Sequence, residues 1–299
     1  MMVAPRTAPK RVLALLNGGV VDPDAALLRA DDLGVLRGEG VFETVLVIDG
    51  LAVELEAHLA RLTHSAAMLE LPAPDLPAWR ACAQHVIDAW DGGSEMVLRL
   101  ILTGGLDPDV FVRGGGGTGY ALGTAVSSTL LAQRRDGIAA VTLTRGTVPD
   151  LADKAPWLLL GAKTLSYATN MAAIRHAERV GAQDAVFVAA DGSVLEGPTS
   201  TVVIAQGTSL RTPPAELGIL AGITQAALFR AAEAAGWSTR VEPLQVADLH
   251  ASDGLWLCSS VRLITRIHTL DGHPLPDADL TDTLRGLLPL GLPNPPSRG

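Results

Sequence analysis

The stretch KAPWLLLGAKTLSYATNM (154–171) decides how this chain is read, because it carries Lys163. The 299 residues contain three lysines, Lys10, Lys154 and Lys163. Lys10 lies in a polar N-terminal stretch and Lys154 in the proline-flanked loop PDLADKAP (149–156). Lys163 instead follows an apolar run, Trp157 to Ala162. Burial penalises an ammonium and lowers its pKa, which turns a lysine into a nucleophile or a base. Position alone also suits a plainer role, a lysine at a strand end whose stem lies along apolar surface. The rest of the sequence has to choose between the two.

Outward from Lys163 the pattern alternates strands and helices. Helical spacing runs from about Thr164 to Val180, and DAVFVAADGSVLEG (184–197) reads as two strands joined by an Asp-Gly turn. TVVIA (201–205), WSTRVEPL (237–244), GLWLCSS (254–260) and RLITRIHTLDG (262–272) read as strands, and ITQAALFRAAEAAG (223–236) as a helix with a glycine stop. IAAVTLTRG (138–146) precedes the lysine as a further strand. In the first half, VLALLNGGVV (12–21) reads as a strand and turn. VFETVLVI (41–48), Asp49-Gly50 and LAVEL (51–55) form a hairpin signal. Helices are expected over 56–71 and 76–90, and strands over 96–104 and 120–126. The glycine-rich stretch 106–119 is expected to be a mobile hairpin loop. Four consecutive glycines, Gly114 to Gly117, do not make a phosphate motif.

The expected organisation is therefore α/β, of the α+β type, in two domains. A smaller N-terminal α/β domain spans 11–126, a linker 127–137, and a larger C-terminal domain 138–291. The tails 1–10 and 292–299 are expected to be disordered. With 48% hydrophobic residues and 18% charged ones the chain can bury a sizeable core, and with 4% aromatics Leu, Val and Ala must fill it. A net charge of −9 without a basic stripe argues against nucleic acid and anionic membranes as partners. No apolar run reaches membrane-spanning length, and the N-terminal apolar stretch is too short for a signal peptide. Cys82 and Cys258, far apart in apolar contexts, read as buried free thiols. A soluble cytoplasmic protein is the expectation, and no metal-ligand cluster stands out.

Four further places bear on Lys163. Gly222-Ile223-Thr224 opens a helix, where free amides and a hydroxyl suit an anion, although Thr and Gly are also ordinary at helix starts. Ser259-Ser260 follows an apolar strand and is either a phosphate-binding turn or a plain serine turn. Arg61 sits in the helix 56–71 as a phosphate clamp or a solvated arginine. Glu196 closes an apolar segment before Gly197-Pro198, where it pairs with a cation, protonates a ring nitrogen or edges a surface turn. An amine for an aldehyde, an acid for a pyridine nitrogen and a site for a phosphate together suggest pyridoxal phosphate.

Six stretches then resemble, in order, segments of the fold-type IV pyridoxal-phosphate enzymes. That group holds branched-chain and D-amino-acid aminotransferases and 4-amino-4-deoxychorismate lyases. The stretches are DDLGVLRGEGVFETV (31–45), AHLARL (57–62), GAKTLSYATN (161–170), DGSVLEGPTSTVVI (191–204), LAGITQAAL (220–228) and CSSVRLITRIHTLDG (258–272). The resemblance implies that Lys163 forms the Schiff base and that Glu196 meets the pyridine nitrogen. It implies that Arg61, Ile223, Thr224, Ser260 and Ser259 serve the phosphate. It also implies a mixed, barrel-like C-terminal domain with helices, and a homodimer.

The departures concern substrate. Thr201 stands where many aminotransferases carry Asn, and Tyr167 is one residue short of the spacing at which branched-chain enzymes place a tyrosine on the cofactor phenol. Thr103-Gly104-Gly105 lacks the arginine often found there, leaving Arg99 on the same strand, with Val35 and Arg37, as candidates for the substrate carboxylate. KTLSYATNM and LRADDLGVLRGEGVFET look most like the actinobacterial-type aminodeoxychorismate lyases. The resemblance thus implies a lyase that eliminates pyruvate to leave 4-aminobenzoate, with Lys163 as the base. A branched-chain or D-amino-acid aminotransferase is the first alternative, and a catalytically idle binding protein the second.

Overall fold

Asp49 and Gly50 both adopt positive φ, 47° and 78°, the geometry of the primed turn that closes a hairpin. The hairpin belongs to a computed structural model that describes residues 10–106, 117–148, 151–276, 280–288 and 290. The expected disordered tails, apart from Lys10, lie outside the described residues, as does the body of the expected glycine-rich loop, 107–116. Chain contacts group residues 1–127 and 128–299 into two compact units.

The first unit contains β1 (Arg11–Leu15), β2 (Gly19–Val21), α1 (Leu33–Leu36), β3 (Gly40–Ile48), β4 (Leu51–Ala52), α2 (Leu55–Met68), α3 (Leu76–Asp88), β5 (Glu95–Thr103) and β6 (Gly119–Ala125). The strands make one antiparallel sheet in the order β2-β1-β6-β5-β3-β4. Alternation sorts each strand into two faces. Val41, Glu43, Val45 and Val47 of β3 are all buried on the face that meets Leu59, Leu62 and Ala66 of α2. Each fully buried Leu or Val contributes about 1.5–3 kcal/mol. Asp75 caps α3 by accepting from the Ala78 amide at 3.1 Å, with Pro77 inside the first turn.

The second unit contains α4 (Ser128–Asp136), β7 (Ile138–Thr144), α5 (Leu151–Lys154), α6 (Ala168–Arg179), β8 (Asp184–Val188), β9 (Thr201–Gln206), β10 (Ser209–Thr212), α7 (Ile223–Ala234), β11 (Ser238–Val241), α8 (Val246–Ala251), β12 (Gly254–Ser259), β13 (Leu263–Leu270), β14 (His273–Pro274) and α9 (Leu280–Leu287). Its sheet runs β11-β10-β9-β12-β13-β7-β8, with β14 added to β13. The pairs β10–β11, β13–β7 and β7–β8 are parallel. Val202, Ile204, Leu255 and Leu257 pack into one buried cluster, while Val203, Ala205, Trp256 and Cys258 pack into another with Leu228 of α7 and Leu284 of α9. A sheet covered on both faces explains why its central strands read as continuous apolar runs.

Several expectations shift. Residues 128–136, within the stretch read as a linker, form α4 and group with the second unit. The helix after Lys163 begins at Ala168, four residues later than expected. The second arm of the 184–197 hairpin forms no regular strand; the Val188–Val194 bridge, paired amide bonds between Phe187 and the Leu195–Glu196 segment, and the Ala189 amide bond to the Ser193 carbonyl hold it to the first arm. The apolar run before Lys163 is no strand. Residues Pro156–Leu158 form a short 3-10 turn in which Trp157 is 75% exposed. Both cysteines are buried and free, and burial pushes the thiols up, Cys82 to about 11 and Cys258 to about 12. Among the described residues no helix is long and apolar enough to cross a membrane, and no His, Cys, Asp or Glu cluster could hold a metal ion.

Candidate active site

Lys163 is buried although Trp157 and Leu158, which open the run before it, are exposed. A tight turn delivers it inward: Leu159 takes φ 53°, the Ala162 amide donates to the Leu159 carbonyl, and Gly161 takes φ 85°. An L side chain at Gly161 would be strained at that φ. The Lys163 Nζ lies 5.6 Å from the centre of the Tyr167 ring. The Tyr167 hydroxyl donates to the Pro198 carbonyl at 3.0 Å, and Asn170 Nδ2 donates to the same oxygen at 2.6 Å. The start of α6 is thereby tied to the turn that follows Glu196.

Glu196 has 13% of its side chain exposed, so the turn-edge surface role does not apply. Its Oε2 accepts the Leu220 amide at 3.0 Å, and its Oε1 accepts Arg145 Nη1 at 3.2 Å. Burial raises the Glu196 pKa, and the Leu220 amide, the charges of Arg145 and Lys163 and the Arg145 hydrogen bond oppose it without cancelling it. The result is a shielded carboxyl beside two cations.

The Glu196–Leu220 bond brings the segment before α7 against the segment before β9. A second contact seals it: a Cβ at Gly222 would collide with Thr201 Oγ1. Glycine is needed there for close approach, and no side chain caps α7 at Gly222. The α7 N-terminus, with Ile223 and Thr224, thus has amides suited to an anion. On the other side of β9, Thr201 pairs with Cys258, so Ser259 and Ser260 emerge beside the 199–201 turn. Arg262 fastens that corner. Its guanidinium meets the buried Asp184 at 2.5 Å and the buried Ser200 Oγ at 3.3 Å, and reaches Thr199 Oγ1 at 3.4 Å. Lys163, Glu196, the α7 start and the Ser259-Ser260 turn therefore belong to one linked set of segments in the second unit. A buried amine, a shielded acid and an uncapped helix start fit pyridoxal 5'-phosphate, which needs one partner for each of its charged parts.

In the first unit Arg61 is not a solvated helix arginine. Its Nε and Nη2 donate to Oε1 and Oε2 of Glu43 at 2.7 and 2.8 Å, a bidentate pair. His58 Nδ1 lies 2.7 Å from Glu43 Oε2, and because an ionised carboxylate only accepts, Nδ1 must carry the proton. Burial pushes the Glu43 carboxyl up, but the hydrogen bond and charge of Arg61, joined by His58, outweigh it and hold the pKa at about 2. Arg99 on β5 is half-buried, with Nη1 3.2 Å from Thr124 Oγ1, and burial lowers its pKa. Val35 and Arg37, at the end of α1, are exposed. Asp32 caps α1 and accepts from the hydroxyls of Thr103 and Thr118 at 2.8 and 3.1 Å, holding both ends of the glycine-rich stretch.

Sequence reasoning missed Glu43, Arg145 and Arg262. Glu43 lay within a quoted motif, and Arg145 ends an apolar strand, as Glu196 ends its segment. That position was the available signal for Arg145.

A model of the class IV amino-transferases matches residues 40–270, and the chain belongs to that family of pyridoxal-phosphate enzymes. The bifunctional aminodeoxychorismate lyase / D-amino acid transaminase of Mycobacterium tuberculosis is 46% identical over 286 residues, 93% of this chain and 97% of that protein. Among solved structures, a hypothetical aminotransferase from Mycobacterium tuberculosis in its PLP-bound form superposes with a TM-score of 0.89 at 47% identity, covering 93% and 97% of the two chains. The fold IV-transaminase CpuTA1 of Curtobacterium pusillum gives 0.87 at 41% identity, covering 95% and 100%. The expected two-domain fold-type IV architecture and the pyridoxal 5'-phosphate cofactor stand.

Proposed function

We propose that the enzyme is a 4-amino-4-deoxychorismate lyase, converting its substrate to 4-aminobenzoate and pyruvate. The observation that carries this reading is the 46% identity, across nearly the whole chain, to a relative named for that activity. Pyridoxal phosphate, when bound, supplies an aldehyde that takes up an amine and a ring that withdraws electrons from the neighbouring carbon. Lys163 would hold the aldehyde, and its freed amine would accept the proton from substrate C4. Its burial keeps competing water from that amine. Glu196 keeps the ring nitrogen protonated. Ile223, Thr224, Ser259 and Ser260 receive the phosphate, Arg61 is assigned to it by its motif, and Tyr167 to the phenol oxygen. Arg99, Val35 and Arg37 are assigned to substrate binding. As the C4 proton leaves, the bond to the enolpyruvyl oxygen breaks and the six-membered ring becomes aromatic, which drives the reaction forward.

A second reading is transamination of D-amino acids, with branched-chain amino acids as the further substrates to try. It is favoured by the second activity in the relative's name and by the 41% identity to a transaminase. Both readings use the same lysine. The test gives the purified enzyme aminodeoxychorismate and, separately, an amino acid with 2-oxoglutarate. 4-Aminobenzoate formation supports the lyase, glutamate formation the transaminase, and both together a bifunctional enzyme. Neither product under cofactor saturation contradicts both and leaves the idle binding protein. The reading includes a cytoplasmic homodimer acting on small molecules.

A further inference from the structure

We infer that Arg145 is a positioning residue that acts through Glu196 and sets the pH range over which the cofactor ring is kept protonated. The inference rests on the reading of Glu196 as the partner of the ring nitrogen. Arg145 follows β7 directly, its amide donates to the Val188 carbonyl at 2.9 Å, and its guanidinium lies 5.1 Å from the centre of the Phe187 ring. The backbone bond and the aromatic platform fix the arginine before any cofactor enters. From there Nη1 reaches Glu196 Oε1.

Each oxygen of Glu196 has its own donor, and the two differ in kind. Leu220 offers a neutral amide that any residue but proline would supply. Arg145 offers a guanidinium charge as well as a hydrogen bond. The charged groups bearing on Glu196 are Arg145 from the end of β7 and Lys163 from the turn before α6. Lys163 engages the cofactor, so its charge changes during a catalytic cycle. Arg145 is then the constant cation. A buried carboxyl without it would hold its proton to higher pH, and a protonated Glu196 would share a hydrogen bond with the ring nitrogen without making it cationic.

The test compares pH titrations of the bound cofactor's visible absorbance in the wild-type holoenzyme and in R145Q, R145K, E196Q and the double variant R145Q/E196Q, alongside kcat and KM. Thermal unfolding checks each variant for a folded state. R145Q keeps a donor and loses the charge. Its expected result is a titration midpoint about one pH unit higher, a tenfold change in proton occupancy. A loss in kcat larger than any change in KM, and return toward wild type in R145K, are also expected. In the E196Q background R145Q should add nothing to the titration, since residues acting through one another are not additive. A wild-type midpoint in folded R145Q, with E196Q shifted, overturns the role of Arg145 alone. A full R145Q shift persisting in the E196Q background also overturns it, because the arginine would then act directly. If E196Q titrates as the wild type does, the reading of Glu196 falls and this inference falls with it.

Discussion

Glu43 shows how much one side chain carries in the first unit. It is fully buried and accepts from two residues of α2, His58 and Arg61. Its carboxyl is held at about 2 against an ordinary value of 4.5, so the folded state binds that proton more weakly than the unfolded chain does. The stability it contributes is therefore fully present above pH 4.5 and is lost as pH falls through about 2. The shift corresponds to about 3 kcal/mol. Urea unfolding between pH 6 and 3 should show a steeper loss in the wild type than in Glu43→Gln. Glu43→Ala, which removes the buried carboxylate that His58 and Arg61 share, should cost about 3–5 kcal/mol at pH 7. The sequence offered Lys163 and Glu196 as candidates because an amine or an acid beside apolar residues is chemically conspicuous. It could not offer the Leu220 amide, which any residue but proline would supply, nor the Arg262–Asp184 pair, whose members are 78 residues apart.

Among the elements, α7 carries the sharpest test. Its start depends on the close approach of Gly222 to Thr201, because a methyl there meets Thr201 Oγ1. Gly222→Ala should move the helix N-terminus away from β9. Cofactor affinity, measured by equilibrium titration of the apoenzyme, is expected to fall about tenfold or more, a loss of about 1.4 kcal/mol, while Gly236→Ala leaves it unchanged. An unchanged affinity in Gly222→Ala would remove α7 from the phosphate site. Hairpins, the α7 stop and the central strands were legible in the sequence because turn chemistry and periodicity are local. The helix start after Lys163 was not legible. Thr164 to Tyr167 have helix-compatible residue types, and the Tyr167 and Asn170 bonds to Pro198 that fix the start come from a loop 28 to 31 residues away. The exposed Pro156–Leu158 turn misled for a similar reason, since an apolar run does not say whether it is covered.

Over the whole molecule, the two-domain fold followed from the ordered motifs more than from composition. Composition bounded size and charge but did not distinguish one α/β architecture from another. The unit boundary depends on long-range pairing: α4 packs on β13 and so groups with the second unit, although its polar sequence reads as a connection. We propose that this pyridoxal-phosphate enzyme holds its cofactor covalently through Lys163. Three lysines make that claim unusually easy to map. The enzyme reconstituted with pyridoxal phosphate is reduced with borohydride, digested, and its peptides are weighed for the cofactor adduct. One stoichiometric adduct is expected on the peptide containing Lys163, absent from Lys163→Ala together with the visible absorbance and turnover. An adduct on Lys10 or Lys154 in its place, or a Lys163→Ala variant that keeps full turnover, would contradict it.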